Sequence, residues 1–198
     1  MNLVPVADVT SFILAGGNST RMGTDKAFLM LDGRTLLARA LDVCRTITGD
    51  VRIVGEAKKF GPFAPVVEDV FPGCGPLAGI HAALRASQTD LNLVLAVDLP
   101  FVSPALLHCL VAQARDSGAV VTVPRAGKGW QPLCAVYRRA FADPAETALL
   151  AGRYKIDALF DPALTRTVGE EDLRSAGFSP QIFRNLNTPE ELAEARNS

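Results

Sequence analysis

Residues 14–26 of this chain read LAGGNSTRMGTDK, so three glycines and two cations fall within one short stretch. Gly16, Gly17 and Gly23 let the backbone turn tightly and come close to a bulky anion. Arg21 offers a planar fork of donors for phosphate oxygens, and Lys26 a point charge on a long stem. The residue types alone leave two readings open: an anion-binding loop, or a surface turn with solvated charges. A dinucleotide fingerprint is excluded because GxGxxG is absent, and a Walker loop because GxxxxGK[ST] is absent. Asp98 ends the apolar run 91–97 (LNLVLAV) and precedes Leu99-Pro100-Phe101. A carboxylate there either caps the next turn or holds a hard cation such as Mg²⁺. The second is favoured, because a charge is costly to leave idle at the ligand edge of a sheet. Glu68-Asp69 leads into PGCGPLAG (72–79), which is either an ordinary strand–turn–helix joint or a ligand-lining turn. No Ser/His/Asp or Cys/His set is visible, and His81 and His108 fall inside helical segments as ordinary helix residues.

Placing these residues together requires short apolar strands alternating with amphipathic helices. The patterning predicts strands at 11–15, 51–54, 91–97, 119–123, 133–137, 165–168 and 182–184, with an extended segment closing 62–67. Helices are expected over 34–47, 76–87, 104–116, 138–151 and 155–160, with Ser103-Pro104 supplying a cap and a first-turn proline. Thr188-Pro189-Glu190-Glu191 reads as a capping box, which makes Asn187 by itself a turn residue. Such alternation implies an α/β fold, a three-layer Rossmann-like and mostly parallel sheet with helices on both faces, as one domain over 1–198. Ligands of open sheets sit beyond the carboxyl ends of the strands, here just after residues 15, 54, 67 and 97.

Composition narrows the partners. The chain has 198 residues, 48% hydrophobic, with 20 Lys plus Arg against 21 Asp plus Glu. A formal net charge of −1 argues against a nucleic-acid or membrane-surface protein and leaves small anionic ligands open. The hydrophobic fraction excludes disorder, and the spread of Gly and Pro excludes a coiled coil. Cys44, Cys74, Cys109 and Cys134 match no CxxC spacing and read as scattered small core residues in a reducing compartment. No run reaches the ~18 apolar residues of a membrane span. The first residues lack a positive n-region and Asp8 interrupts their apolar stretch, so a cytoplasmic protein is expected.

LAGGxxxRMGxDK resembles the signature loop of the nucleotidyltransferases that activate molybdopterin and sugars, and among them the molybdenum cofactor guanylyltransferase family. PGxGPLAG after the acidic pair, the Asp98-x-Pro-Phe step and the closing NxNTPEEL resemble that family's later motifs, so the likeness runs from Leu14 to Leu192. The resemblance implies that Leu14, Ala15, Gly16, Lys26, Asp69 and Asp98 contact the nucleotide. It also implies that Arg21, Lys26 and Asp98 carry the chemistry, with Mg²⁺ on Asp98. Gly75, Gly79, Asn185 and Asn187 would then line the acceptor. The Gln131-Pro132-Leu133 segment resembles an acceptor-pocket loop, in which Lys128 and Trp130 either meet the pterin or anchor the loop. One departure stands out: relatives often carry an Asn after the second strand, where this chain has Gly55 in VRIVGEA.

The implied reaction is in-line attack of a molybdopterin phosphate (or its molybdate adduct) on the α-phosphorus of GTP, releasing pyrophosphate. The attacking group is already anionic, so alignment and charge neutralisation are what the protein must supply. The product would pass to molybdoenzymes or their chaperones. Molybdopterin cytidylyltransferase or a sugar-phosphate nucleotidyltransferase is the alternative on this fold, against which LAGG and GPLAG weigh. A non-catalytic nucleotide-binding module would be expected to have lost Arg21, Lys26 or Asp98, and all three are present.

Overall fold

Six consecutive buried residues, VTSFIL, form the first strand, β1 (Val9–Leu14), and everything else packs on one face or the other of the sheet it centres. A computed structural model describes residues 7–16, 25–127 and 129–186. After a 3₁₀ turn over Lys26–Phe28, a small hairpin of β2 (Met30–Leu31) and β3 (Arg34–Thr35) leads into α1 (Leu36–Arg45), whose first turn is capped by the Thr35 hydroxyl. There follow β4 (Val51–Val54), α2 (Ala57–Phe60), β5 (Val66–Val67), α3 (Pro76–Ala86), β6 (Leu91–Ala96) and α4 (Pro104–Ser117). The remaining elements are β7 (Val121–Ala126), β8 (Gly129–Trp130), β9 (Cys134–Arg138), α5 (Ala142–Leu150), β10 (Thr165–Val168) and α6 (Glu170–Ser175).

The main sheet runs β10-β7-β9-β6-β1-β4-β5, with β8 added on β7. β1 pairs in parallel with both β4 and β6, and β5 and β10 also pair in parallel with their neighbours. Only β9 runs against its partners β6 and β7 on this path. The chain between β7 and β9 is too short for a crossover, which needs a dozen or more residues, so it folds back as a hairpin.

Alternation along β1 divides the core. Val9 and Ile13 face α1 and α4, whereas Phe12 and Leu14 face α3 and α5. Burial on both faces explains why β6 reads as a nearly continuous apolar run. The Ser103 hydroxyl accepts the Leu106 N–H at 3.3 Å, so α4 starts where its cap and proline placed it.

Several segments differ from the sequence reading. Residues 182–184 are not a strand: Pro180–Phe183 forms a 3₁₀ turn, capped by the Ser179 hydroxyl, that drops Phe183 into the core. The 155–160 helix is a single 3₁₀ turn, and the helix expected from 138 begins at Ala142 after another. α2, α6 and the β2–β3 hairpin are too short for periodicity to reveal. The capping box at 188–191 lies outside the described residues.

Candidate functional site

Register sets the floor of the site. Leu14 pairs with both Val54 and Ala96, and Val54 with Val67, so four parallel strands end level. Ala15-Gly16, Gly55, Glu68-Asp69 and Val97-Asp98 therefore emerge along one edge. The N–H groups of Ala15 and Gly16 both donate to the Val54 carbonyl, at 3.0 and 3.1 Å, and Gly55 N–H donates to Val67 at 3.0 Å. The Leu14 carbonyl accepts from Val97 at 3.1 Å, which ties Leu14 into the sheet. The carbonyls of Ala15 and Gly16 accept no hydrogen bond among the described residues. The amide donors of Ala15 and Gly16 are thus spent within the sheet edge.

A Cβ on Gly55 would stand 2.8 Å from two carbons of the Phe60 ring, and one on Gly16 would stand 3.5 Å from the Gly55 Cα. The space beside the Gly55 Cα is taken by Phe60, which is 1% exposed and stacks on Phe28 with centroids 6.0 Å apart.

Lys26 and Asp98, 72 residues apart in sequence, meet at the centre: Lys26 Nζ lies 3.4 Å from Asp98 Oδ2. Their side chains are 24% and 20% exposed, so the pair is partly shielded yet reachable. Lys26 opens its 3₁₀ turn because Asp25 caps it, Oδ1 accepting the Ala27 N–H at 2.9 Å. Asp25 also pairs with Lys59 of α2, whose amine lies 5.2 and 5.9 Å from the centroids of Phe60 and Phe28. The Leu186 N–H donates to the Asp98 carbonyl at 3.1 Å, and the Leu186 side chain is fully buried. That bond returns the late segment to the site and sets exposed Asn185 beside the Asp98 turn.

Asp69 closes the other flank. Its Oδ1 accepts the Phe71 N–H at 2.8 Å, and burial pushes its pKa above the ordinary carboxylate value. The following turn uses a left-handed Gly75 (φ 75°), exposed and open around its Cα, to aim the start of α3 at the edge. Gly79 is buried against the sheet, where an added Cβ would lie 3.4 Å from Leu14 Cδ2 and 3.5 Å from Val54 Cγ1, so it serves helix–sheet packing.

His81, one turn further into α3, is 2% exposed and meets the Phe71 ring edge-on at 5.3 Å. Its Nε2 accepts from Arg85 Nε at 3.4 Å and lies 3.7 Å from Glu146, while burial lowers its pKa. Trp130 is an anchor: its indole N–H donates to Thr167 Oγ1 at 3.3 Å and its ring meets Phe160 edge-on. The four cysteines are unpaired, and burial pushes the Cys44 thiol up to about 12, far from nucleophilic use. Arg21, Asn187 and Lys128 lie outside the described residues. Sequence reasoning missed Lys59 and Phe60; the signal available was a basic pair and an aromatic (KKF) immediately beyond a strand end.

The donors fit a divalent ion held jointly with a substrate. Asp98 supplies one carboxylate, paired with Lys26 through Oδ2, and no group of three or more metal-ligating side chains exists among the described residues. Mg²⁺ takes that form of site, one or two carboxylates with phosphate and water completing the shell.

The model of the MobA-like NTP transferase domain matches residues 11–167. The molybdenum cofactor guanylyltransferase of Desulfosudis oleivorans is 38% identical over 190 residues, 94% of each chain. That of Vibrio cholerae is 32% identical, covering 95% of this chain and 91% of its own. Among solved structures, molybdopterin-guanine dinucleotide biosynthesis protein A of Archaeoglobus fulgidus superposes with a TM-score of 0.81 at 30% identity, covering 95% and 97% of the two chains. A nucleotidyltransferase sheet whose ligand edge carries the Lys26–Asp98 pair, matched over nearly its whole length by such relatives, places this chain in the MobA-like NTP transferase family.

Proposed function

We propose that the protein transfers GMP from GTP to molybdopterin or its molybdenum adduct, forming the guanine dinucleotide cofactor and pyrophosphate. The observation that carries this reading is the Lys26–Asp98 pair at the level ends of four parallel strands, a cation and an anion poised where a triphosphate would lie. An acceptor phosphate oxygen forms the new bond to the α-phosphorus, and the bond to the bridging oxygen breaks with its electron pair leaving on pyrophosphate. Lys26, with Arg21, offsets the charge that builds on that leaving group. Asp98 would hold Mg²⁺, which when bound neutralises phosphate charge and orients the oxygens. With the Ala15 and Gly16 amides spent on Val54, a base meeting this backbone would find carbonyl acceptors, which supports guanine with its adjacent N1–H and N2–H donors. Asp69 would close the nucleotide side, with Gly75, Asn185 and Asn187 assigned to the acceptor. Four unpaired cysteines support a reducing, cytoplasmic setting, with molybdoenzymes or their chaperones as recipients of the product.

The test is dinucleotide formation by Lys26→Met and Asp98→Asn. Each is expected to lose roughly 10²- to 10³-fold in kcat, the scale of removing one preorganised charge-stabilising group. Each should unfold within about 2–4 °C of wild type, because a partly exposed pair adds only about 0–1 kcal/mol. Full activity in both variants, or CTP binding as tight as GTP by calorimetry, would overturn the reading.

A further inference from the structure

Asp25 stands between two lysines, and only one of them reaches the reaction centre. It precedes Lys26 in the chain, yet its Oδ2 is paired with Lys59, while Lys26 Nζ lies on Asp98. The Asp25 side chain is only 17% exposed, so its charge is poorly screened and demands a cation. Lys59 is well suited to stay there. Its amine lies against the faces of Phe28 and Phe60, and Phe28 also meets Phe63 at 5.8 Å. These cation–aromatic contacts hold the ammonium in place on the Asp25 side of the cluster.

We propose that Lys59 is a positioning residue for Lys26, acting through Asp25: by satisfying the Asp25 carboxylate it leaves Lys26 for Asp98 and the phosphates. The inference rests on the nucleotidyltransferase reading for its kinetic consequence, and on geometry alone for its structural one. Without Lys59, the Asp25 carboxylate would compete with Asp98 for Lys26, the next residue in the chain. Losing the Asp25 charge as well would remove the competition, since an Asn at 25 still caps the turn through its carbonyl oxygen.

Two readouts separate this inference from the reading beneath it. Wild-type dinucleotide formation tests the reading. Crystal structures of Lys59→Met and of the double variant Asp25→Asn/Lys59→Met test the inference whether or not turnover is seen. In Lys59→Met, Lys26 Nζ is expected on Asp25 and away from Asp98; in the double variant it is expected back on Asp98. Kinetically, Lys59→Met should lose about 10-fold in kcat with KM for GTP changed less than about 3-fold. Lys59→Arg, which keeps the cation, should stay near wild type, and the double variant should recover most of the loss. A phosphate ligand would instead give a loss mainly in KM that Asp25→Asn does not repair, and a merely structural residue would give additive losses. Either result, or Lys26 remaining on Asp98 in Lys59→Met, overturns the proposal.

Discussion

Gly55 offers a prediction whose size follows from the structure. In Gly55→Ala the new methyl would stand 2.8 Å from Phe60 Cδ2 and Cε2. Carbon atoms rest at about 3.5–4.0 Å, so the ring must retreat by roughly 0.7 Å or more. It has little room, being 1% exposed and stacked on Phe28. Overpacking of this kind costs about 1–3 kcal/mol, which for a chain of this size lowers Tm by roughly 2–12 °C. The strain also bears on the base edge, because the Gly55 Cβ would sit 3.4 Å from Gly16 N. Gly55→Asn, with a larger side chain at the same place, is therefore expected to destabilise further and to leave GTP binding no tighter. Phe60→Leu should relieve the clash, so that the double variant Gly55→Ala/Phe60→Leu is less destabilised than the two single losses together. Thermal unfolding of the four proteins, with GTP affinity by calorimetry, measures both effects. An unchanged Tm in Gly55→Ala, or strictly additive losses in the double variant, would refute the argument that Phe60 occupies this space.

Gly79→Ala should keep stability and the acceptor KM, since its Cβ meets Leu14 and Val54 at ordinary contact distance, whereas Gly79→Val should lose about 1–3 kcal/mol; a raised acceptor KM in Gly79→Ala at unchanged Tm would return this residue to the acceptor site. His81 faces Arg85, Glu146, Asp69 and the Phe71 ring, and its folded pKa lies below the unfolded 6.5, so the unfolded chain takes up the proton first and stability falls as pH drops below that value. His81→Gln removes this contribution, and Tm measured from pH 7 to pH 5 should decline less in the variant than in wild type; equal declines would contradict it.

β6 was legible because burial on both faces leaves a nearly continuous apolar run. Residues 51–54 and 165–168 appear with the bounds that the patterning gave, and β6 differs by one residue. α4 was legible for a chemical reason, its cap and first-turn proline. Short elements were not: a four-residue helix such as α2 has barely one turn in which to show a period, and Ile182-Phe183 is apolar because a turn, not a strand, carries it inward. Within the site, Lys26 and Asp98 could be named from their positions in motifs, but their meeting depends on parallel register between strands far apart in sequence. The packing of Gly79 on Leu14 and Val54 was not legible, because a motif glycine can serve close helix–sheet packing as readily as ligand approach. Lys59 was invisible for the converse reason, a surface-type residue whose role exists only through Asp25.

The hydrogen bond from Leu186 to the Asp98 carbonyl tethers a segment late in the chain to the turn that bears the carboxylate. The central strands pair with one another through bonds of their own, in which that segment takes no part. A substitution that loosens residues 183–186 would therefore slacken the Asp98 turn while the sheet stays paired, so damage far along the sequence can read out as lost chemistry.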